Sequence, residues 1–181
     1  MNILQIRKFC ENRKIEWTSH AAKRLLQRGI SSSDVAAAID TGDIIENYPE
    51  DYPFPSCLIV GKTTKGRVMH IVCSIGDEKL WIITAYEPKF DRLGFRISSQ
   101  KGAKIMRCVF CKGSLEDKTS TFTVDFDERI VVVRNVPSHV CSQCGEVSYS
   151  DNVYRELEKV VDQMRDSISE VAIVNYFAKT A

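Results

Sequence analysis

Two short runs carry chemistry that their spacing makes specific: RCVFCKG, Arg107 to Gly113, and HVCSQCGE, His139 to Glu146. Each holds a Cys-x-x-Cys pair, with 29 residues between Cys111 and Cys141. One such turn presents two thiolates to a metal, and a second completes a tetrahedral site with sulfur about 2.3 Å from zinc. Cys108, Cys111, Cys141 and Cys144 are therefore expected to hold one structural Zn2+, with iron as the rival metal. Four protein ligands leave no open coordination position, which argues against a zinc-dependent enzyme. His139 lies two residues before Cys141 and is expected to be a bystander, because four thiolates saturate the site. Gly113 and Gly145 ease the tight backbone that follows each pair.

A second group of residues suits acid–base chemistry on a phosphate ester. In TSHAAKRLLQRGI, a step of about 100° per residue puts His20, Lys23, Arg24 and Arg28 on one side of a helix. Ala21, Ala22, Leu25 and Leu26 fall on the other side. Imidazole titrates near neutrality, so His20 is a candidate base or acid, and Arg28 a candidate for stabilising charge on phosphorus. Lys23 and Arg24 are candidate phosphate or RNA contacts. His70 shares a strand face with Val68 and Val72, while Tyr86 shares one with Ile82 and Thr84. If the sheet curls over the helix, both join the same cleft as candidate catalytic residues. The alternatives are a solvated cationic helix face, a structural histidine at a helix start, a satisfied core histidine and a tyrosine plugging the end of a sheet.

The elements that must position these groups are legible from period. Ile3, Ile6 and Phe9 predict a helix over residues 2–11, Thr18 or Ser19 caps a second that ends at Gly29, and a third spans Val35–Asp40. After Gly42 the period changes to two: DIIENYP, SCLIVGKT, RVMHIVCSI and KLWIITAY read as strands, the last three joined by hairpin-length turns. The fold class is α+β: helices packed on a small antiparallel sheet (1–96), a polar linker (97–104), then a zinc-ribbon-like hairpin-plus-helix module (105–181). In that module Thr119–Asp125 and Arg129–Asn135 form the hairpin, 151–169 the helix, and VAIVNYF a β-like tail that can pair with the hairpin. Phe122, Phe126, Tyr176 and Phe177 are candidates for a docking surface, or for the module's own core.

Composition excludes little and the charge is balanced at +1. Residues 1–103 hold 15 basic against 12 acidic side chains, the remainder 10 against 12. No apolar run is long enough for a membrane span, no signal peptide is read at the start, and the cytoplasm is the expected compartment. Seven cysteines include four ligands; Cys10, Cys57 and Cys73 read as buried thiols in a reducing compartment.

MRCVFCKGSL followed by VRNVPSHVCSQCGE and VAIVNYF resembles the YgiT-type zinc finger, the zinc-binding half of MqsA-type antitoxins. The four cysteines match its ligand positions, and the resemblance implies neutralisation of a toxin by protein contact. The separate helix-turn-helix domain of that family has no counterpart here, so DNA binding is not expected. The first module, through TSHAAKRLLQRGIS, DVAAAIDTGDIIENYPED and WIITAYEP, resembles small DUF-type domains grouped with RelE- and BrnT-like ribonuclease toxins. That resemblance implies metal-independent cleavage of RNA. The expectation is a toxin–antitoxin module in one chain, its endoribonuclease-like domain inhibited in cis or within a dimer. The alternatives are a non-catalytic RNA-binding or protein-interaction adaptor, and a degenerate toxin.

Overall fold

Local signals start each helix of the first module. Asn2 accepts the Leu4 N–H at 2.9 Å and opens α1 (Ile3–Glu11), and β1 (Ile15–Thr18) follows. Thr18 ends that strand and caps α2 (Ser19–Gln27) through the Ala21 N–H at 3.1 Å. Ser31 and Asp34 form a reciprocal capping box that opens α3 (Ser32–Thr41), so the helix begins three residues before the expected Val35, within the Ser31–Asp34 run that opens it. Four strands follow in the expected order: β2 (Asp43–Tyr48), β3 (Ser56–Lys62), β4 (Val68–Gly76) and β5 (Lys79–Tyr86). A computed structural model describes residues 1–88, 107–126, 129–165 and 171–176 of the 181-residue chain. The expected linker 97–104, Phe177, residues 166–169 of the second module's helix and most of its hairpin turn lie outside the described residues.

In the second module a long hairpin, β6 (Leu115–Phe126) and β7 (Arg129–Cys141), is followed by β8 (Val147–Ser150), α4 (Asp151–Arg165) and β9 (Val171–Asn175). The β-like tail does pair with the hairpin: β9 runs parallel to β7, from Ile130↔Val171 to Arg134↔Asn175.

The two modules do not form two sheets. One nine-stranded sheet runs β2-β3-β4-β5-β1-β8-β7-β6, with β9 beside β7. Its continuity depends on β1, a strand that apolar period did not reveal. β1 lies parallel to β5 through Ile15↔Leu80 to Trp17↔Ile82, and antiparallel to β8 through Glu16↔Ser150 to Thr18↔Ser148. The expected small antiparallel sheet is thus part of a larger mixed one. Side chains alternate across it. On one face Ile59, Ile71, Cys73, Ile82 and Ala85 join Ala21, Leu25 and Ile39 of the helices in a core that continues through Tyr149, Phe122, Val131 and Leu157. α3 lies so close to β3 that a Cβ on Gly61 would sit 1.8 Å from the Ala38 carbonyl oxygen.

Three of the aromatic docking candidates belong to this shared core. Phe122 is fully buried, edge to face with Tyr149 at 5.7 Å between centroids; Phe126 lies under the Arg165 guanidinium, and Tyr176 packs against the core margin. Among the described residues no helix is long and apolar enough to cross a membrane.

Candidate metal centre and cationic helix

The four cysteines converge as the sequence predicts. Their sulfurs all lie within 4.8 Å of one another, with Cys108–Cys144 at 3.6 Å and Cys111–Cys141 at 3.4 Å. None forms a disulfide. Two equivalent turns build the site. Cys108 N–H donates to Gly113 O at 2.9 Å, and Cys141 N–H donates to Glu146 O at 2.9 Å. Backbone N–H groups of Phe110, Gly113 and Gln143 point at the sulfurs of Cys108, Cys111 and Cys141, each at 3.4 Å. Burial alone would raise the Cys141 pKa, yet the N–H groups of Cys144 and Gln143 bring it down to about 7. A Cβ on Gly113 would meet Cys141 Sγ at 2.7 Å, so the first turn needs glycine to let the second approach. Four mutually close sulfurs, three of them receiving backbone N–H groups, with no added carboxylate fit one thiophilic ion such as Zn2+, held by protein on every side. Such a site fixes structure and supplies no open position for substrate.

His139 is not part of the sulfur cluster, as expected, and it bonds instead to a buried carboxylate. Its Nδ1 lies 2.5 Å from Glu16 Oε1, and its Nε2 3.4 Å from Asp117. Glu16 is fully buried in β1 and also receives Lys79 Nζ at 2.8 Å and Ser148 Oγ at 3.1 Å. Burial would raise its pKa; the hydrogen bond and charge of His139, and then Lys79, outweigh that and leave the carboxyl below its ordinary value. This buried carboxylate, shared by both modules, was missed in sequence because its strand is four residues long and carries a charge at its centre.

The second group sits on α2. His20, Arg24 and Arg28 are exposed and Lys23 is half-buried, while Ala21, Ala22, Leu25 and Leu26 are buried, the predicted division of the helix. Partial burial and then the charges of Arg24 and Arg28 hold the His20 pKa below its ordinary value, which favours neutral imidazole at pH 7. The second module reaches this helix through Glu146, the glutamate that follows Cys144-Gly145. Burial raises the Glu146 pKa, opposed by the backbone N–H of Ser19 and the charge of Lys23. The Glu146 carboxyl thus lies near Ser19 at the start of α2, on the helix that presents His20, with its Oε1 buried and without a hydrogen-bond partner among the described residues.

His70 and Tyr86 do pair with each other. They are cross-strand partners, His70 Nδ1 lies 3.4 Å from the Tyr86 hydroxyl, and the rings meet edge-on at 5.4 Å. They do not join His20 and Arg28. Ile71 and Ala85 point into the core beneath α2, so their neighbours His70 and Tyr86 face the opposite side of the sheet. The sheet does not curl over α2; it separates the two groups.

Compared with known proteins, residues 17–87 match the model of a domain of unknown function, DUF4258. The match opens at Trp17 within β1 and closes one residue past β5, leaving β8, α4 and the four cysteines outside it. No curated protein and no solved structure matches the chain.

Proposed function

We propose that the chain is a toxin–antitoxin unit in one polypeptide: an endoribonuclease-like domain of RelE/BrnT type, held in check by a YgiT/MqsA-type module that zinc keeps folded. The observation that carries this reading is the position of Glu146. A helix N-terminus flanked by cations is a site for anions, and α2 offers its Ser19 N–H beside Lys23. An RNA phosphate bound there would bring the backbone to neutral His20, suited to take the 2′-OH proton, with Arg24 and Arg28 on the same helix face to stabilise charge on phosphorus. The Glu146 carboxylate occupies that position in place of the phosphate. Zinc takes no part in the chemistry; it fixes the Cys141–Glu146 turn from which the glutamate projects.

A second reading, an RNA-binding adaptor that does not cleave, draws support from the separation of His20 from His70 and Tyr86. A general acid for the leaving oxygen is then absent from the immediate partners described for His20, and the cationic helix remains a binding surface. The experiment is cleavage of a labelled single-stranded RNA by zinc-loaded full chain, in chelator-treated buffer free of added divalent ions. Glu146→Ala is expected to raise cleavage at least tenfold over wild type, and adding His20→Ala is expected to abolish the gain. Tighter RNA binding by Glu146→Ala with intact RNA selects the adaptor.

A further inference from the structure

The residues matching DUF4258 end, in space, at an edge. β1 has β5 on one side, and its other side would be an open row of backbone donors and acceptors without β8. What fills that edge comes wholly from outside the matched residues 17–87. The second module also attends to the helix ends around the edge. Both oxygens of Glu158 engage Ser32 at the start of α3, from its N–H at 2.7 Å and its hydroxyl at 2.8 Å. Arg165 donates from Nη2 to Leu26 O at 2.5 Å, in the last turn of α2. A carboxylate meets the N-terminus of α3 and a guanidinium meets the C-terminus of α2, the sign that the helix dipole requires in each case. Between them Trp17 stacks on Tyr154 at 4.4 Å and donates its Nε1–H to Asp151 at 3.2 Å.

From this we infer that the open edge of β1, with the N-terminus of α3 and the C-terminus of α2, is a dedicated docking surface for a strand-plus-helix zinc module. Its selectivity resides in Glu158 and Arg165. The inference rests on the reading of the second module as a partner, but not on what the first module does to RNA. The contacts are those of a partner recognised by strand addition and end-capping, so they hold without a covalent tether. A helix presenting the opposite charges at these two positions would meet the same termini with repulsion.

The test uses the full chain carrying a site-specific protease sequence between residues 97 and 104, folded, zinc-loaded and then cut. Cut wild-type protein is expected to elute as one species and to stay paired through dilution to nanomolar concentration. Cut Glu158→Lys and Arg165→Glu proteins are expected to pair at least tenfold more weakly, with zinc content unchanged. Lys159→Glu, on the same helix but bonded among the described residues to Glu156 at 3.2 Å, serves as the control and should pair as wild type does. Glu158→Gln keeps the size and loses the charge; it covers the case in which Glu158→Lys does not fold, and its pairing should also weaken. Separation of the cut wild-type halves with zinc still bound would overturn the inference. Undiminished pairing of the folded charge variants would overturn it equally. Neither result bears on RNA cleavage by the uncut chain, which tests the function separately.

Discussion

Glu16 shows how one residue can join two modules. Its carboxylate is fully buried, and of the three side chains bonded to it among the described residues, two, His139 and Ser148, come from the second module. Removing one partner of a buried ionic group strands the others, at a cost of about 3–5 kcal/mol. Lys79 and His139 retain some exposure, so Glu16→Gln should fall below that range, at roughly 2–3 kcal/mol by urea unfolding. The pH dependence follows from the direction of the shift. A folded pKa below the unfolded one contributes stability above the unfolded value and loses it as pH falls through the folded value. Acidification through the ordinary carboxylate range should therefore destabilise wild type more steeply than Glu16→Gln, with denaturant midpoints compared at each pH. The sulfur ligands were legible because two Cys-x-x-Cys pairs constrain chemistry by spacing alone. Glu16 was not, since a lone glutamate between Ile15 and Trp17 announces no partner 123 residues away.

Among the elements, β1 and β8 decide the architecture, and both escaped period-based reading. Each has four residues, too few for alternation to register, and each runs directly into a helix whose cap signal dominates its sequence. β2 to β5 and the β6–β7 hairpin are longer and alternate, so they were readable. The cationic face of α2 was readable for the same reason, because nine residues sample the helical period more than twice. That His20 and the His70–Tyr86 pair lie on opposite faces was not, since the side of the sheet that a helix covers depends on tertiary packing. Trp17 is the principal side chain of β1, buried to 1% exposure and stacked on Tyr154. Trp17→Ala should destabilise by about 3–5 kcal/mol, through lost burial and the cavity left behind. Residues 1–96 expressed alone would leave β1 as an open edge beside an uncovered Trp17. The expected result is a fragment with weak protection in hydrogen exchange over β1 and α2, which regains protection when residues 105–181 are added.

Across the whole molecule, the one core and one sheet that the described residues form imply a single unfolding unit. The four-cysteine cluster lies at the end of that sheet, with Cys141 closing β7 and Lys112 stacked over the Tyr52 ring of the first module at 4.4 Å. Binding energy for a structural zinc is folding energy. The full chain is expected to melt in one transition followed equally by near-UV and far-UV signals, and zinc chelation should move the whole transition down by roughly 10 °C or more. Two separated transitions, with only the later residues responding to chelator, would count against one unit. Under the proposed function, the same coupling would let a bound metal govern the first module without entering its chemistry, through the turn that carries Glu146 toward α2. That turn carries the central functional claim. The most direct measurement is cleavage of 5′-labelled single-stranded RNA by zinc-loaded wild type, Glu146→Ala and Glu146→Ala/His20→Ala, all confirmed as folded. The account predicts little cleavage by wild type, at least a tenfold rise in Glu146→Ala, and loss of that gain in the double variant. Intact RNA with all three proteins, or cleavage that ignores both substitutions, would contradict it.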